Sequence, residues 1–288
     1  MTQRLEKSFA GRRLMIETGR MAKQAAGSAV VQFGDTMVLA AVTVSDRTSS
    51  LPFFPLTVEY REKTYAAGKI PGGFIKREGR PHDSEILSAR IIDRSIRPLF
   101  PEGFKNEVQV FIYVISADQE NDADVLGLVA ASYALSASRI PFQGPIAGVR
   151  VARVAEKWVL NPTFQQLAYS DIEIVLAGSN DSIVMVEGGA LEVSEEDVLE
   201  ALQIGHTGIK ELVGYQNELL ATGGPVTKMT WSKADVPSAV VAAVKAEAEQ
   251  RILTAINQKD KQTRVQAVEE VKKRVSEKFI AEMLESAP

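Results

Sequence analysis

Residues 125–139 read VLGLVAASYALSASR, an Ala-rich run with apolar residues at helical spacing that closes before Pro141. Such a run specifies a helix buried in the core and packed closely through its small residues, so the rest of the chain has to cover it. The texts on either side supply strands. Residues 14–17, 29–33, 37–44 and 56–60 are short β-rich runs, and Gly34-Asp35-Thr36 separates the second from the third at hairpin distance. An antiparallel meander is the expected start. The third run is nearly continuously apolar and predicts a strand covered on both faces. In residues 107–116, Val108, Val110, Ile112 and Val114 alternate with Phe111, Tyr113 and Ile115, the pattern of a central strand. Further strands are expected near 145–154, 157–160, 171–176 and 182–187. Ser194 followed by Glu195, Glu196 and Asp197 opens a helix to about Leu220.

Between the fourth strand and the central one the periodicity stops. Residues 61–83 hold Gly68, Gly72, Gly73, Gly79, Pro71 and Pro81 among many charges, an excursion long enough to suggest function. Its core, GGFIKREGRP at 72–81, joins a backbone-exposing turn to one aromatic ring and several cations. That combination suits single-stranded nucleic acid, with an ordinary solvated loop as the alternative. Asp83 or Ser84 is expected to cap a helix that Pro98 stops. On it Arg90, Arg94 and Arg97 fall at i, i+4 and i+7 and share a face. Either they form a salt-bridged surface with Glu85 and Asp93, or they extend Lys76, Arg77 and Arg80 into a track for backbone phosphates.

Charge supports a local site. The chain carries a formal net charge of -4, yet residues 61–105 hold ten Lys or Arg against six Asp or Glu, so this window is at +4 and the remainder at -8. There is no cysteine and only two histidines, His82 and His206, which excludes disulfides, thiol nucleophiles and multi-histidine metal sites. No stretch approaches the roughly 18 apolar residues of a membrane span, and a cytoplasmic protein without membrane partners is expected.

Two acidic groups invite a metal. Asp118, Glu120, Asp122 and Asp124 lack the glycine and terminal glutamate of a complete calcium loop, and acids at a helix N-terminus are the alternative. Asp171 and Glu173 stand at i, i+2 on an expected strand, where two carboxylates can hold a catalytic metal or simply line a surface. His206 lies on the helix after Ser194 with no serine or carboxylate placed to partner it, and reads as a helix-terminal or packed histidine rather than a catalytic base. Beyond the linker-like residues 224–237, residues 237–256 and 260–284 read as two helices without strand signal, too few to close a core alone.

Taken together, AGSAVVQFGDTMVL (26–39), PFFPLTVEY (52–60), KIPGGFIKREGRP (69–81), RSIRPLF (94–100), MVEG (185–188), SEE (194–196) and Gly205-His206 closely resemble the N-terminal part of the bacterial polynucleotide phosphorylase family. The resemblance covers nearly the whole chain in order. It implies an α+β fold: a first ribonuclease PH-like core, with a mixed sheet and packed helices as in ribosomal protein S5 domain 2, over residues 1–222. A linker over 223–236 and part of an all-helical domain over 237–288 would follow. In that family a second core and further RNA-binding domains continue the chain. A trimeric ring of six cores then degrades RNA from the 3′ end, using inorganic phosphate and Mg²⁺, and RNA-degradation assemblies are possible partners.

The family's Phe-Phe-Arg-Arg loop falls on residues 74–77. Phe74 matches the first aromatic and Arg77 the last arginine, while Ile75 replaces the second aromatic and Lys76 keeps a charge without arginine's bidentate fork. Arg80 matches a further basic position. The family's catalytic centre lies in the second core, where a Gly-Ser-rich turn cradles phosphate. The corresponding place here reads Asn121-Asp122-Ala123-Asp124, whose carboxylates repel phosphate, and Asp171 and Glu173 fall on the second core's metal-binding pair. The resemblance therefore implies no catalytic residue in this segment, and RNA guidance by Phe74, Lys76, Arg77 and Arg80. Two rivals are a self-sufficient homo-oligomeric ring with a site at Asp171 and Glu173, and a purely structural scaffold.

Overall fold

The computed structural model describes residues 2–233 and 236–285. Residues 234–235 of the expected linker and 286–288 of the expected helical segment lie outside the described residues. The chain divides into two compact units, Met1–Ser232 and Lys233–Pro288.

In the first unit, strands β1 (Gln3–Phe9), β2 (Arg12–Thr18), β3 (Gly27–Phe33), β4 (Thr36–Thr48), β5 (Leu56–Glu62) and β6 (Asn106–Ser116) form one sheet in the order β1-β2-β3-β4-β6-β5. The first four make the expected meander, and β6 is central. β5 runs parallel to β6, with Leu56 opposite Val108. A parallel neighbour needs a crossover, and helix α1 (Asp83–Ile96) supplies it. β1 was not apparent in the sequence, because Arg4, Glu6 and Lys7 break its apolar alternation. It is paired through a tight turn at Ala10-Gly11, where both residues have positive φ, 47° and 76°, as a twisted two-residue hairpin requires.

Helix α2 (Asp124–Ser136) is the buried helix, with every residue from Asp124 to Leu135 inside. It lies between β3 and β4 on one side and β7 on the other. β7 (Ala147–Val154), β8 (Lys157–Leu160), β9 (Ser170–Gly178) and β10 (Ile183–Ala190) form a second antiparallel sheet in the order β10-β9-β7-β8, and the short α3 (Phe164–Leu167) precedes β9. The small residues set the approach distance. A Cβ on Gly27 of β3 would stand 2.2 Å from the Ala134 carbonyl oxygen and 2.9 Å from Ser138 Cβ, both backbone-fixed positions. Gly27→Ala is therefore expected to destabilise the unit by about 1–3 kcal/mol, read as a lower urea midpoint at unchanged slope.

β4 corrects one expectation. Val38, Ala40 and Val42 are fully buried, whereas Met37, Leu39 and Ala41 between them are only partly so. α2 covers one face, so the strand is two-sided in composition but one-sided in burial. The start of α1 is a second correction, since its cap is His82 rather than Asp83 or Ser84. Glu85 is the reason: one carboxylate oxygen accepts from His82 N at 2.6 Å and the other from Glu62 N at 2.8 Å, tying the helix start to the end of β5.

Helix α4 (Glu195–Gly223) opens at Ser194 as expected. Ser194 Oγ accepts from Asp197 N, and Asp197 accepts from Ser194 N, a reciprocal capping box. After α4 the chain runs back over the C-terminal end of α2. Lys228 Nζ donates to Ser136 O at 2.8 Å and Ser138 O at 2.6 Å, and Met229 N to Arg139 O at 2.8 Å. The second unit is a helix pair, α5 (Ser238–Ile256) and α6 (Lys261–Glu285), joined by a Lys278–Glu247 ion pair at 2.6 Å. Among the described residues no helix is long and apolar enough to cross a membrane.

Candidate nucleic-acid interface

β5 and α1 frame the excursion that interrupts the sequence pattern, and both of its ends are fastened. Arg61 Nη2 donates to Gly79 O at 2.9 Å, and Glu78 accepts from Thr64 N at 3.0 Å. That backbone hydrogen bond from Thr64 is the chief reason the Glu78 carboxyl sits below its usual range. Between the fastenings the tip stands clear. Phe74 is 102% exposed and Ile75 73%, with Gly73 at φ 72° and Lys76 at φ 54° turning the backbone. Lys76, Arg77 and Arg80 have no ion-pair partner among the described residues. An uncovered phenyl ring beside unpaired cations is a costly surface for a folded protein to keep, and it fits a partner that is both aromatic and anionic.

The three helix arginines behave differently from the loop cations. Arg97 makes two bonds to Asp93, at 2.6 and 2.9 Å, and reaches Phe54 O and Leu56 O at 3.2 Å each. It fastens the start of β5. Arg94 pairs with Glu187 of β10 at 2.9 Å. Among the described residues Arg90 has no ion-pair partner, and it borders a groove of about 430 Å³ between β5 and α1. The three arginines of one helix face are thus divided, with Arg94 and Arg97 engaged by Glu187 and Asp93. Asp93 matches the salt-bridged expectation, while Glu85 pairs with Arg61.

The acids form a separate site. Arg150 of β7 donates to Asp122 at 2.8 Å, to Asp124 at 2.5 Å and to Glu173 of β9. They lie in a cleft of about 560 Å³ bordered also by Glu62, Glu187, Ser84 and Phe164. Burial, reinforced by the charge of Asp122, pushes Asp124 up to about 7 against the pull of Arg150. Three carboxylates against one guanidinium leave the place unsuited to an anion. Arg150 escaped the sequence reading. Its signal was a pair of charged residues, Arg150 and Arg153, inside the otherwise apolar GVRVARV run, which need partners where they are buried.

Asp171 and Glu173 share β9, but each is taken by a different guanidinium. Asp171 binds Arg153 at 2.6 Å, and Arg153 also binds Asp197 at 2.7 Å, while Glu173 binds Arg150. Among the described residues no three acidic or histidine side chains cluster to hold a metal ion. With each carboxylate of the pair engaged by a guanidinium, these residues do not suit Mg²⁺. His206 Nε2 lies 3.2 Å from Ser179 O, the packed arrangement expected.

Asp118 closes a turn. It accepts from Glu120 N and Asn121 N at 2.8 Å each and from Asn121 Nδ2 at 2.6 Å. Partial burial pushes its pKa up, but these bonds outweigh it and bring the carboxyl down to about 2. A folded pKa below the unfolded one gives stability that is present above about pH 4 and lost as pH falls toward about 2. Asp118→Asn should flatten the fall of stability with pH across that window, measured by urea midpoints; an unchanged slope would contradict the assignment.

Three family models match the chain. "3' exoribonuclease family, domain 1" matches residues 10–141, "3' exoribonuclease family, domain 2" residues 144–208, and "Polyribonucleotide nucleotidyltransferase, RNA binding domain" residues 239–287. A polyribonucleotide nucleotidyltransferase of Gemmatimonas aurantiaca is 73% identical over 284 residues, covering 99% of this chain and 39% of that protein. Those of Exiguobacterium sibiricum and Bacillus subtilis are 47% and 49% identical over 280 and 271 residues, each covered over 38% of its length. The chain thus spans less than two fifths of these relatives. The crystal structure of rice (Oryza sativa) Rrp46 shares the fold, with a TM-score of 0.58 at 16% identity over 71% of this chain and 94% of that one.

Proposed function

The chain belongs to the polyribonucleotide nucleotidyltransferase family, and we propose that these 288 residues guide single-stranded RNA toward a catalytic core elsewhere in the polypeptide or assembly. The observation that carries this reading is the fastened loop with its uncovered tip: Phe74 wholly exposed, and Lys76, Arg77 and Arg80 unpaired. Phe74 stacks on a base, whose face is the same for any sequence, while the three cations neutralise neighbouring phosphates. Arg90 extends the path along α1. The 3′ end is then delivered onward.

The whole protein, in this reading, is a phosphorolytic 3′ to 5′ exoribonuclease of the cytoplasm, active as a homotrimer with inorganic phosphate and Mg²⁺. Chemistry does not belong to the acidic cleft of this chain, where Arg150 neutralises part of a carboxylate cluster that would repel phosphate. Residues 1–222 serve as the core, 223–236 as linker and 237–288 as the beginning of a helical domain.

Phe74→Ala is expected to weaken binding of poly(A) by about 1–3 kcal/mol, measured by fluorescence anisotropy. Unchanged affinity would remove the stacking role. Release of nucleoside diphosphate from poly(A), with phosphate and Mg²⁺, separates guidance from chemistry. It is expected from a polypeptide extended through a second core and absent from the 288-residue chain; release by the shorter chain that is lost on changing Asp171 or Glu173 would place the site here instead.

A further inference from the structure

A further cavity lies apart from the loop, the β5–α1 groove and the acidic cleft. It encloses about 440 Å³ between the β1–β2 hairpin, the C-terminal end of α2 and the segment that follows α4, with Gln3, Thr18, Tyr133, Leu220, Val226 and Lys228 in its wall. Tyr133 is 1% exposed, yet no hydrogen bond from its hydroxyl is present among the described residues. Burial alone accounts for its pKa, pushed up to about 12. Its hydroxyl keeps a little accessible surface, and the cavity is where it can receive a partner.

The rest of the wall defines what that partner is. Lys228 brings the one formal charge, but its ammonium is already held by Ser136 O and Ser138 O at the carbonyl end of α2, whose dipole favours a cation. No Asp or Glu lines the cavity. Thr18 Oγ1 donates to Ser28 O at 2.7 Å, which leaves its lone pairs as acceptors. The Gln3 carboxamide stands at the wall beside Gly223, where an added Cβ would come within 3.2 Å of Oε1. Leu220 and Val226 add carbon surface.

A cation would find no carboxylate here, an anion no unengaged cation, and a wholly apolar guest would leave the phenol unpaired. We propose that this cavity binds a small uncharged polyhydroxyl molecule of sugar size, whose hydroxyls both donate to and accept from Tyr133, Gln3 and Thr18 while its carbon face meets Leu220 and Val226. The volume falls within the range of small-molecule sites, about 300–1,000 Å³.

The test uses the full chain with ¹³C-labelled tyrosine ring carbons, Tyr133→Phe identifying the Tyr133 resonance. Titration with D-ribose is expected to shift that resonance saturably in the millimolar range. Val226→Trp, at a position 44% exposed and so tolerant of size, is expected to fill the mouth and weaken the response at least tenfold. Inorganic phosphate should leave the resonance in place. A shift that grows linearly without saturation would mean that water alone fills the cavity, an equal response in Val226→Trp would put the sugar elsewhere, and saturation by phosphate would overturn the uncharged class.

Discussion

Replacing Arg150 with Met is expected to destabilise the first unit by about 3–5 kcal/mol, the cost of leaving buried charges without their partner. Arg150 faces Asp122, Asp124 and Glu173 at once, and Asp124 is only 3% exposed. Its aliphatic stem would be reproduced by Met, so lost packing contributes little and the effect is electrostatic. pH distinguishes this from a cavity effect. Asp124 has its pKa raised by burial, so its contribution to stability is complete at low pH and is lost as pH rises through the folded value, near 7. Without Arg150 that loss should deepen: the urea midpoint of Arg150→Met is expected to recover on going from about pH 8 to about pH 5 by more than that of the unaltered chain. Adding Asp122→Asn and Asp124→Asn to Arg150→Met should restore much of the stability. A single variant as stable as the parent, or one with the same pH dependence, would show that the cluster carries no such weight.

The second large effect concerns binding. Lys76, Arg77 and Arg80 changed together to Ala are expected to lower the salt dependence of single-stranded RNA binding by about 2 in the slope of log K against log salt, since each phosphate contact on a single strand contributes about 0.7. Extrapolated from 1 M to 0.1 M salt this is roughly a hundredfold in affinity. All three side chains are exposed and lack ion-pair partners among the described residues, so the urea midpoint should hardly move. Arg94→Ala is the contrast, because that guanidinium belongs to Glu187 and its loss should leave the slope nearly as it was. A slope unchanged in the triple variant would point to a scaffold whose arginines serve protein contacts.

How legible this was depended on the range of the forces involved. α2, β6 and the meander write their own periodicity, and the α+β architecture followed from them together with the family resemblance. The loop announced itself by the absence of any period. What local pattern could not supply was pairing across distance. β1 is polar on its outward side and exists because β2 is there to bond it, Arg97 looked like a surface cation until β5 arrived beside it, and Arg150 meets carboxylates that lie 28, 26 and 23 residues away. Phe74 shows the opposite case, since an exposed tip has no long-range partners to foresee.

The one parallel pair in the first sheet also orders events in time. The meander closes through neighbouring hairpins, but β5 cannot find β6 until Leu56 and Val108 meet across the whole of α1, and contacts of such separation form slowly. During synthesis the loop leaves the ribosome well before β6 does. The loop between β5 and β6 thus takes its place beside the sheet late, once residues as far as Ser116 have emerged and the crossover has locked.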